Sequence, residues 1–393
     1  VTGAEAEKVA AGVARVVPEA LAPILDARFT RSHLLFDEYV FRLALGVVAE
    51  MKLGDVLDDW ATADDVVSRA GLHPQRALVP IDWLLRHLAA RGILASDERG
   101  RVRAVAVLPA PDPLAVLAEQ RSHDAACLPS YELAATVARD YPAFLRGERP
   151  GEDILFAPKR LPLWVAYFSN DNGLYAVNNR VGAVALDAWL PGGESTILEL
   201  GGGLGSGAAA VLERLAASGR LAELRAYRFT ELVPAFLRRG ERVLQEQWPN
   251  AAFLSAGPLD MNRPFADQGV APGSVSAVYA VNTLHVAHDL AFTLGEVHRA
   301  LAPGGRVIFS ECIRPRAGDT PYPEFVFNLL ETFRAPRLHP RYRPNGGFLT
   351  PEQWEDAVTA AGFDDVKVMP DIRRVRDVVA TFYVACFGAT RPA

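Results

Sequence analysis

Apolar residues recur at three- and four-residue steps through Phe36, Val40, Leu43, Val47 and Met51, within a stretch from about Ala4 to Leu108 that is mostly helical in pattern. Such a stripe needs apolar cover along one face. Further on, Thr62 stands where an N-cap belongs and Asp65 where the acid of a capping box belongs. Gly71 supplies a stop, and a second helix follows through Leu84, Leu85 and Leu88. Gly92-Ile93-Leu94-Ala95 and Arg101-Val102-Arg103-Ala104-Val105 flank Asp97-Glu98-Arg99-Gly100, the pattern of a hairpin. Helix, turn, helix, hairpin is a winged-helix outline. From about Ala110 to Ala188 the pattern is again helical, broken at Pro142, Pro150, Pro158 and Pro162. It is rich in rings, among them Tyr131, Tyr141, Phe144, Trp164, Tyr167 and Phe168. This part reads as a connector that roofs a pocket, or as plain interdomain packing.

At Thr196 the rhythm changes. Strand-like runs at Thr196–Leu200, Ala226–Phe229, Val275–Val281 and Arg306–Ser310 alternate with helical stretches, which predicts a parallel sheet in an α/β fold. The expected organisation is a helical winged-helix domain over 1–110, a helical connector and lid over 111–190, and an α/β domain over 191–393. No internal repeat or low-complexity tract interrupts it.

Composition narrows the function. Half of the 393 residues are hydrophobic and 22% are charged, so the apolar mass suffices for a core in each unit. A net charge of −6 gives no cationic field for a phosphate polymer, which argues against nucleic acid as the main partner and for a small-molecule acceptor. Cys127, Cys312 and Cys386 are too few and too scattered for a disulfide framework or a Cys-based zinc site, which points to a reducing, cytoplasmic setting. No run of about 18 apolar residues appears, so no membrane association is expected.

The strongest chemical signal is Ile197-Leu198-Glu199-Leu200-Gly201-Gly202-Gly203-Leu204-Gly205-Ser206-Gly207, a buried strand entering a glycine loop and then a helix. Gly201, Gly203 and Gly205 allow a sharp turn and close approach of backbone to a ligand, and the helix N-terminus offers unpaired N–H groups. On glycine spacing alone a dinucleotide site fits as well. The acid Glu199 inside the strand changes that balance. Strand, acid and glycine turn together resemble class I S-adenosylmethionine-dependent methyltransferases, over roughly Thr196 to Gly388. The resemblance implies a Rossmann-like, doubly wound seven-stranded sheet whose last strand is antiparallel, with Val366–Met369 and Phe382–Gly388 as sixth and seventh strands.

The same resemblance implies S-adenosylmethionine as cofactor. Glu199 would hold the methionine amino group and Glu231, in Tyr227-Arg228-Phe229-Thr230-Glu231, the ribose hydroxyls. Asp260, in Pro258-Leu259-Asp260-Met261, would take the adenine amine, with Leu232, Leu259 and Asn282 completing the cofactor-binding set. Leu301-Ala302-Pro303-Gly304-Gly305 is similar to the family's turn into the fifth strand. The helical N-terminal part, including Leu85-Arg86-His87-Leu88-Ala89-Ala90-Arg91-Gly92-Ile93-Leu94, resembles the winged-helix dimerisation domain of small-molecule methyltransferases, which implies a homodimer.

A sulfonium methyl is already a strong electrophile, so the protein must mainly align the acceptor and, for a weakly acidic C–H or O–H, remove a proton. His285, in Val281-Asn282-Thr283-Leu284-His285-Val286-Ala287-His288-Asp289, follows the fourth strand of the α/β part at the carboxyl edge where ligands bind, and is the candidate base. The N-x-L-H stretch resembles the C-methyltransferase domains of polyketide synthases, where the His pairs with a Glu after the fifth strand. Here that implies Glu311, and an acceptor that is free or tethered to a carrier protein. Some C-methyltransferases hold iron through two histidines, and His288 with His339, or His285 with either, is the corresponding metal set for Fe or another divalent ion. A surface histidine that binds nothing is the plain alternative. Asn170–Arg180 and Tyr322–Asn328 mix rings and amides as a substrate lining does, with Tyr175 placed to hydrogen-bond an acceptor oxygen. C-methylation, O-methylation without metal, a nicotinamide-dependent oxidoreductase and a winged-helix ligand sensor remain in competition. The Asn282-Thr283-Leu284 stretch lacks the N-P-P-aromatic tetrad of enzymes that methylate flipped-out base amines.

Overall fold

A computed structural model describes all residues 1–393, which gather into two compact units that do not follow the chain linearly. One comprises residues 1–6, 28–167 and 316–334; the other comprises 7–27, 168–315 and 335–393. The expected boundaries at 110 and 190 therefore fall inside units, because the segments on either side share cores.

In the first unit the amphipathic stripe forms the helix Ala27–Glu50, with Leu35, Phe36, Tyr39, Val40, Leu43 and Val47 buried. Its cover comes from the supposed connector. Tyr131, on the helix Leu128–Leu145, lies 4.8 Å from the Phe36 ring and 4.5 Å from Tyr39, and Gln120 donates to Ser32 at 3.0 Å. The helix Ala63–Arg69 begins on the expected Thr62–Asp65 capping box. The helix Pro74–Ala90 follows, and a short antiparallel pair, β1 (Leu94–Ser96) and β2 (Val102–Ala104), closes the hairpin. The short helix Pro323–Phe327 returns to this unit, where Phe325 stacks on Tyr141 at 4.9 Å.

The second unit is a seven-stranded sheet in the order β5-β4-β3-β6-β7-β9-β8. The strands are β3 (Ser195–Leu200), β4 (Leu224–Thr230), β5 (Leu254–Gly257), β6 (Val275–Val281), β7 (Leu301–Cys312), β8 (Asp364–Met369) and β9 (Val384–Thr390). Pairing is parallel from β5 to β7; β9 runs antiparallel to both β7 and β8, as the resemblance implied. β5 carries no signal in the sequence, since Leu-Ser-Ala-Gly has neither length nor β-branching to declare a strand. The expected turn at Pro303–Gly305 lies inside the bounds of β7, as a stretch unpaired with β6 between Leu301 and Arg306 in which Gly304 takes φ 76°. Gly305 is required there, because a Cβ would stand 2.8 Å from the Ala302 carbonyl oxygen.

The helix Gly173–Trp189 packs on β6, β7 and β9. Gly182 lets it sit tight, since a Cβ would collide with the Tyr279 hydroxyl and stand 3.0 Å from Ser310 Cβ. The order of the first and fourth sheet strands, β3 beside β6, opens a crevice at their carboxyl ends, the switch point where α/β sheets take ligands. No helix in the chain is long and apolar enough to cross a membrane.

Candidate active site

The crevice has a β3–β4 side and a β6–β7 side. On the first, Leu200 runs into Gly201, Gly203 and Gly205, all at positive φ (58°, 57° and 84°), a conformation other residues adopt only with strain. Gly201 is constrained twice, because a Cβ would also collide with Thr283 Oγ1. The Gly202 N–H donates to the Thr230 carbonyl at 2.8 Å, and Gly205 caps the helix Ser206–Ala217. Glu231 organises the loop: its carboxylate accepts from the Gly203 N–H at 2.9 Å and the Val233 N–H at 2.8 Å.

Glu199 is buried in β3, and its Oε2 has no hydrogen-bond partner. Burial pushes its carboxyl up to about 8; the nearby Tyr227 hydroxyl opposes that rise and the Glu231 charge adds to it. Leu259 is buried and Leu232 exposed. Asp260 is occupied locally, its Oδ1 accepting from the N–H and side-chain amide of Asn262 at 2.9 and 3.2 Å. Tyr175 stands beside Ser206 at the first turn of the following helix, with its ring 5.0 Å from Phe168, and burial raises its hydroxyl above the usual range. Its ionisable neighbours are Cys312 at the end of β7 and Glu199 and Glu231 on the glycine-loop side, which places it between the two sides of the crevice.

On the other side, β6 ends at Asn282, which takes φ 49° and ties the strand ends together. Its N–H donates to the Ser310 carbonyl at 2.8 Å, and its Oδ1 accepts from the Cys312 N–H at 2.7 Å. Its side-chain oxygen is thus spent on structure, beside the cofactor role the resemblance implied. The chain then makes a 3₁₀ turn, Leu284–Val286, carrying His285. His285 Nδ1 lies 2.5 Å from Oε2 of Glu311, which is fully buried in β7. The other oxygen of Glu311 accepts from the main-chain N–H groups of Thr283 at 3.1 Å and Leu284 at 2.8 Å. Those bonds hold Glu311 as an acceptor, so Nδ1 carries the proton toward it and Nε2 is the basic nitrogen.

Arg343 went unmarked in the sequence and belongs here. It is fully buried, and its guanidinium donates to the carbonyls of His285 and of Ala287, the latter at 3.1 Å. Burial lowers it to about 10 against the opposing pull of Glu311. The loop bearing it is pinned by paired main-chain bonds between His339 and Arg343, both 2.9 Å. Only that fold brings it to the His285 turn; no local pattern marks it. Phe348 closes edge-on over the imidazole, at 4.9 Å between ring centres.

The metal set fares differently. His288 lies beyond the 3₁₀ turn, held through its main chain by the Asn262 side chain and Arg337. The His339 ring stacks on Tyr342 at 3.8 Å, and its Nδ1 accepts from the Arg341 N–H at 3.3 Å. No group of three His, Cys, Asp or Glu is placed to hold an ion, so the two histidines gather no third ligand.

Residues 198–307 match the methyltransferase-domain family. The chain carries an S-adenosylmethionine-dependent methyltransferase domain. Among curated proteins, polyketide synthase PksM of Bacillus subtilis (strain 168) is 27% identical over 244 residues, covering 60% of this chain but 5% of PksM. The chain thus spans a small fraction of the curated relatives it matches. Among solved structures, the CurJ carbon methyltransferase aligns over 99% of both chains with TM-score 0.75 and 21% identity. The trans-methyltransferase CalH, in complex with SAH, covers 92% of this chain and 91% of its own with TM-score 0.60 and 18% identity. These likenesses extend the shared fold beyond the matched segment to nearly the whole chain.

The methyltransferase domain fits its donor on its own geometry. A glycine loop is held open for backbone approach, and a carboxylate at the end of β4 is fixed by two N–H groups with lone pairs to spare for hydroxyls. A second, buried acid has an oxygen with nothing to accept from.

Proposed function

We propose that the methyltransferase domain moves the methyl of S-adenosylmethionine to the carbon between the two carbonyls of a β-ketoacyl thioester borne on a carrier protein, with His285 as general base. The buried His285–Glu311 pair supports this most directly, because a base wired so firmly suits an acceptor that must lose a C–H proton. The similarity to polyketide synthases and to a carbon methyltransferase favours the same acceptor class.

The donor supplies a sulfonium-bound methyl as electrophile. Within the site, Nε2 of His285 takes the acidic proton of the acceptor carbon, and the imidazolium so formed sits against the Glu311 carboxylate. With the donor held by the glycine loop, Glu199 and Glu231, the electron pair freed on that carbon would be met by the sulfonium-bound methyl, which the donor would give up from sulfur as a thioether. Glu311 keeps the imidazole in the Nδ1–H tautomer. Arg343 fixes the main chain on which the imidazole stands. Phe348 shields the ring from water.

The test supplies a β-ketoacyl thioester and a phenol of similar size with ¹³C-methyl-labelled donor, and locates the label by NMR. Label on the carbon between the carbonyls is expected. Label on the phenol oxygen alone would replace this reading with O-methylation.

A further inference from the structure

Two buried acceptors on the glycine-loop side have nothing to accept. Glu199 Oε2 and Asn179 Oδ1 are shut from solvent, and neither has a hydrogen-bond partner. The other oxygen of Glu199, Oε1, faces the same point as Asn179 Oδ1: a Cβ at Gly207 would stand 3.2 Å from Glu199 Oε1 and 3.6 Å from Asn179 Oδ1. The absence of a side chain at Gly207 leaves that point open.

The orientation of the Asn179 amide follows from its neighbours. The Ser206 main-chain oxygen only accepts, so the Asn170 atom 2.9 Å from it is the amide nitrogen. The remaining Asn170 oxygen accepts from Asn179 Nδ2 at 2.8 Å. Asn179 is left presenting Oδ1, and it cannot flip without setting two nitrogens or two oxygens against each other.

A native interior leaves few buried acceptors unpaired, and Asn179 Oδ1, unpaired and facing the same point as a carboxylate oxygen of Glu199, points to a missing donor. The group that satisfies a carboxylate and an amide oxygen together is positively charged and carries at least two N–H bonds, which describes a primary ammonium. A carboxylate ligand would be repelled, and an adenine edge pairs a donor with an acceptor. Resting on S-adenosylmethionine as donor, we propose that Asn179 is the second arm of the seat for the donor's α-ammonium, beside Glu199, and so selects donors that keep their amino-acid end. Asn179 is a positioning residue, for it holds the amino-acid arm whose other end is the sulfonium. The raised carboxyl of Glu199 agrees: without a cation beside it the acid holds its proton near neutrality.

Calorimetry with two probes tests this. S-adenosylhomocysteine carries the ammonium; 5′-methylthioadenosine has the same nucleoside and thioether without it. Asn179→Leu is expected to weaken S-adenosylhomocysteine by about tenfold to a hundredfold, the value of one charge-assisted hydrogen bond, and to leave methylthioadenosine within about twofold. Asn170→Ala, which only frees the amide to turn, is expected to give a smaller loss of the same kind, and carries the comparison should the buried substitution unfold the chain. Equal loss of both probes in these variants, or no loss of S-adenosylhomocysteine, overturns the role of Asn179. Wild-type protein that binds both probes equally refutes the ammonium seat while the donor stands. Wild-type protein that binds neither refutes both.

Discussion

On the β3–β4 side of the crevice, Glu199 and Asn179 keep buried oxygens without partners, and the glycine loop holds itself open at three positive-φ positions. On the β6–β7 side the catalytic carboxylate is already paired: Glu311 accepts from two main-chain N–H groups and the imidazole, and Arg343 grips the carbonyls of the same turn, although its Nε has no partner. The difference follows from what each side has to do. A ligand-binding half is completed by its ligand, and its unpaired groups are the imprint of what is absent. A proton-transfer half must be ready before the acceptor arrives, so its groups satisfy one another. Substitutions should therefore act differently on the two sides, through turnover on one and through affinity on the other.

The largest effect is expected at the dyad. His285→Ala should lower turnover by about 10² to 10⁴ with donor affinity unchanged, the usual range for a general base. Glu311→Gln should cost about as much, because the amide keeps the shape but favours the wrong imidazole tautomer. Steady-state rates of the two single variants and the double variant check this; the double should be no worse than His285→Ala, since the pair acts as a unit.

On the donor side, Glu231→Ala should leave the base intact and weaken S-adenosylhomocysteine at least tenfold, by removing charge-assisted bonds worth roughly 1.5 to 3 kcal/mol each. Part of that loss comes through the Gly203 N–H, which the carboxylate also holds. Calorimetric affinity reads it. An unchanged affinity would remove Glu231 from the donor site.

The smallest effect is on stability against pH. Glu199 titrates near its ordinary value, about 4.5, in the unfolded chain and near about 8 when folded without a cation beside it. Between those values the folded state holds a proton that the unfolded state has lost, so stability should fall as pH rises through this window and level off above it. Saturating S-adenosylhomocysteine should flatten the slope, and so should Glu199→Gln. Denaturant unfolding at a series of pH values measures it.

How much of this was visible in the chain depends on the range over which each signal acts. The glycine loop and β3, β4 and β6 declare themselves through local runs of apolar residues, and the Thr62 capping box through a four-residue motif. His285 and Glu311 lie 26 residues apart, but each directly follows or ends a legible strand, so parallel pairing of β6 with β7 puts them side by side. Arg343 comes from a loop without periodicity, and its function exists only once the His339–Arg343 bridge has folded it inward. Asn179 lies in a stretch whose amides and rings suit a pocket lining, yet its orientation is set by a chain of contacts through Asn170 to Ser206 that no spacing reveals. The two compact units depart from a linear division into three segments for a related reason. The cover for the Phe36 stripe comes from Tyr131, far along the chain, and sequence rhythm does not say which helix covers which.

The central claim is that His285 removes a proton from carbon. It is tested most directly with the methyl withheld: protein saturated with S-adenosylhomocysteine is mixed with a β-ketoacyl thioester in D₂O, and deuterium entering the carbon between the carbonyls is followed by NMR against the buffer rate. The wild-type domain should speed exchange well above buffer, and His285→Ala should bring it back to the buffer rate. Exchange by His285→Ala as fast as wild type would contradict the assignment of the base.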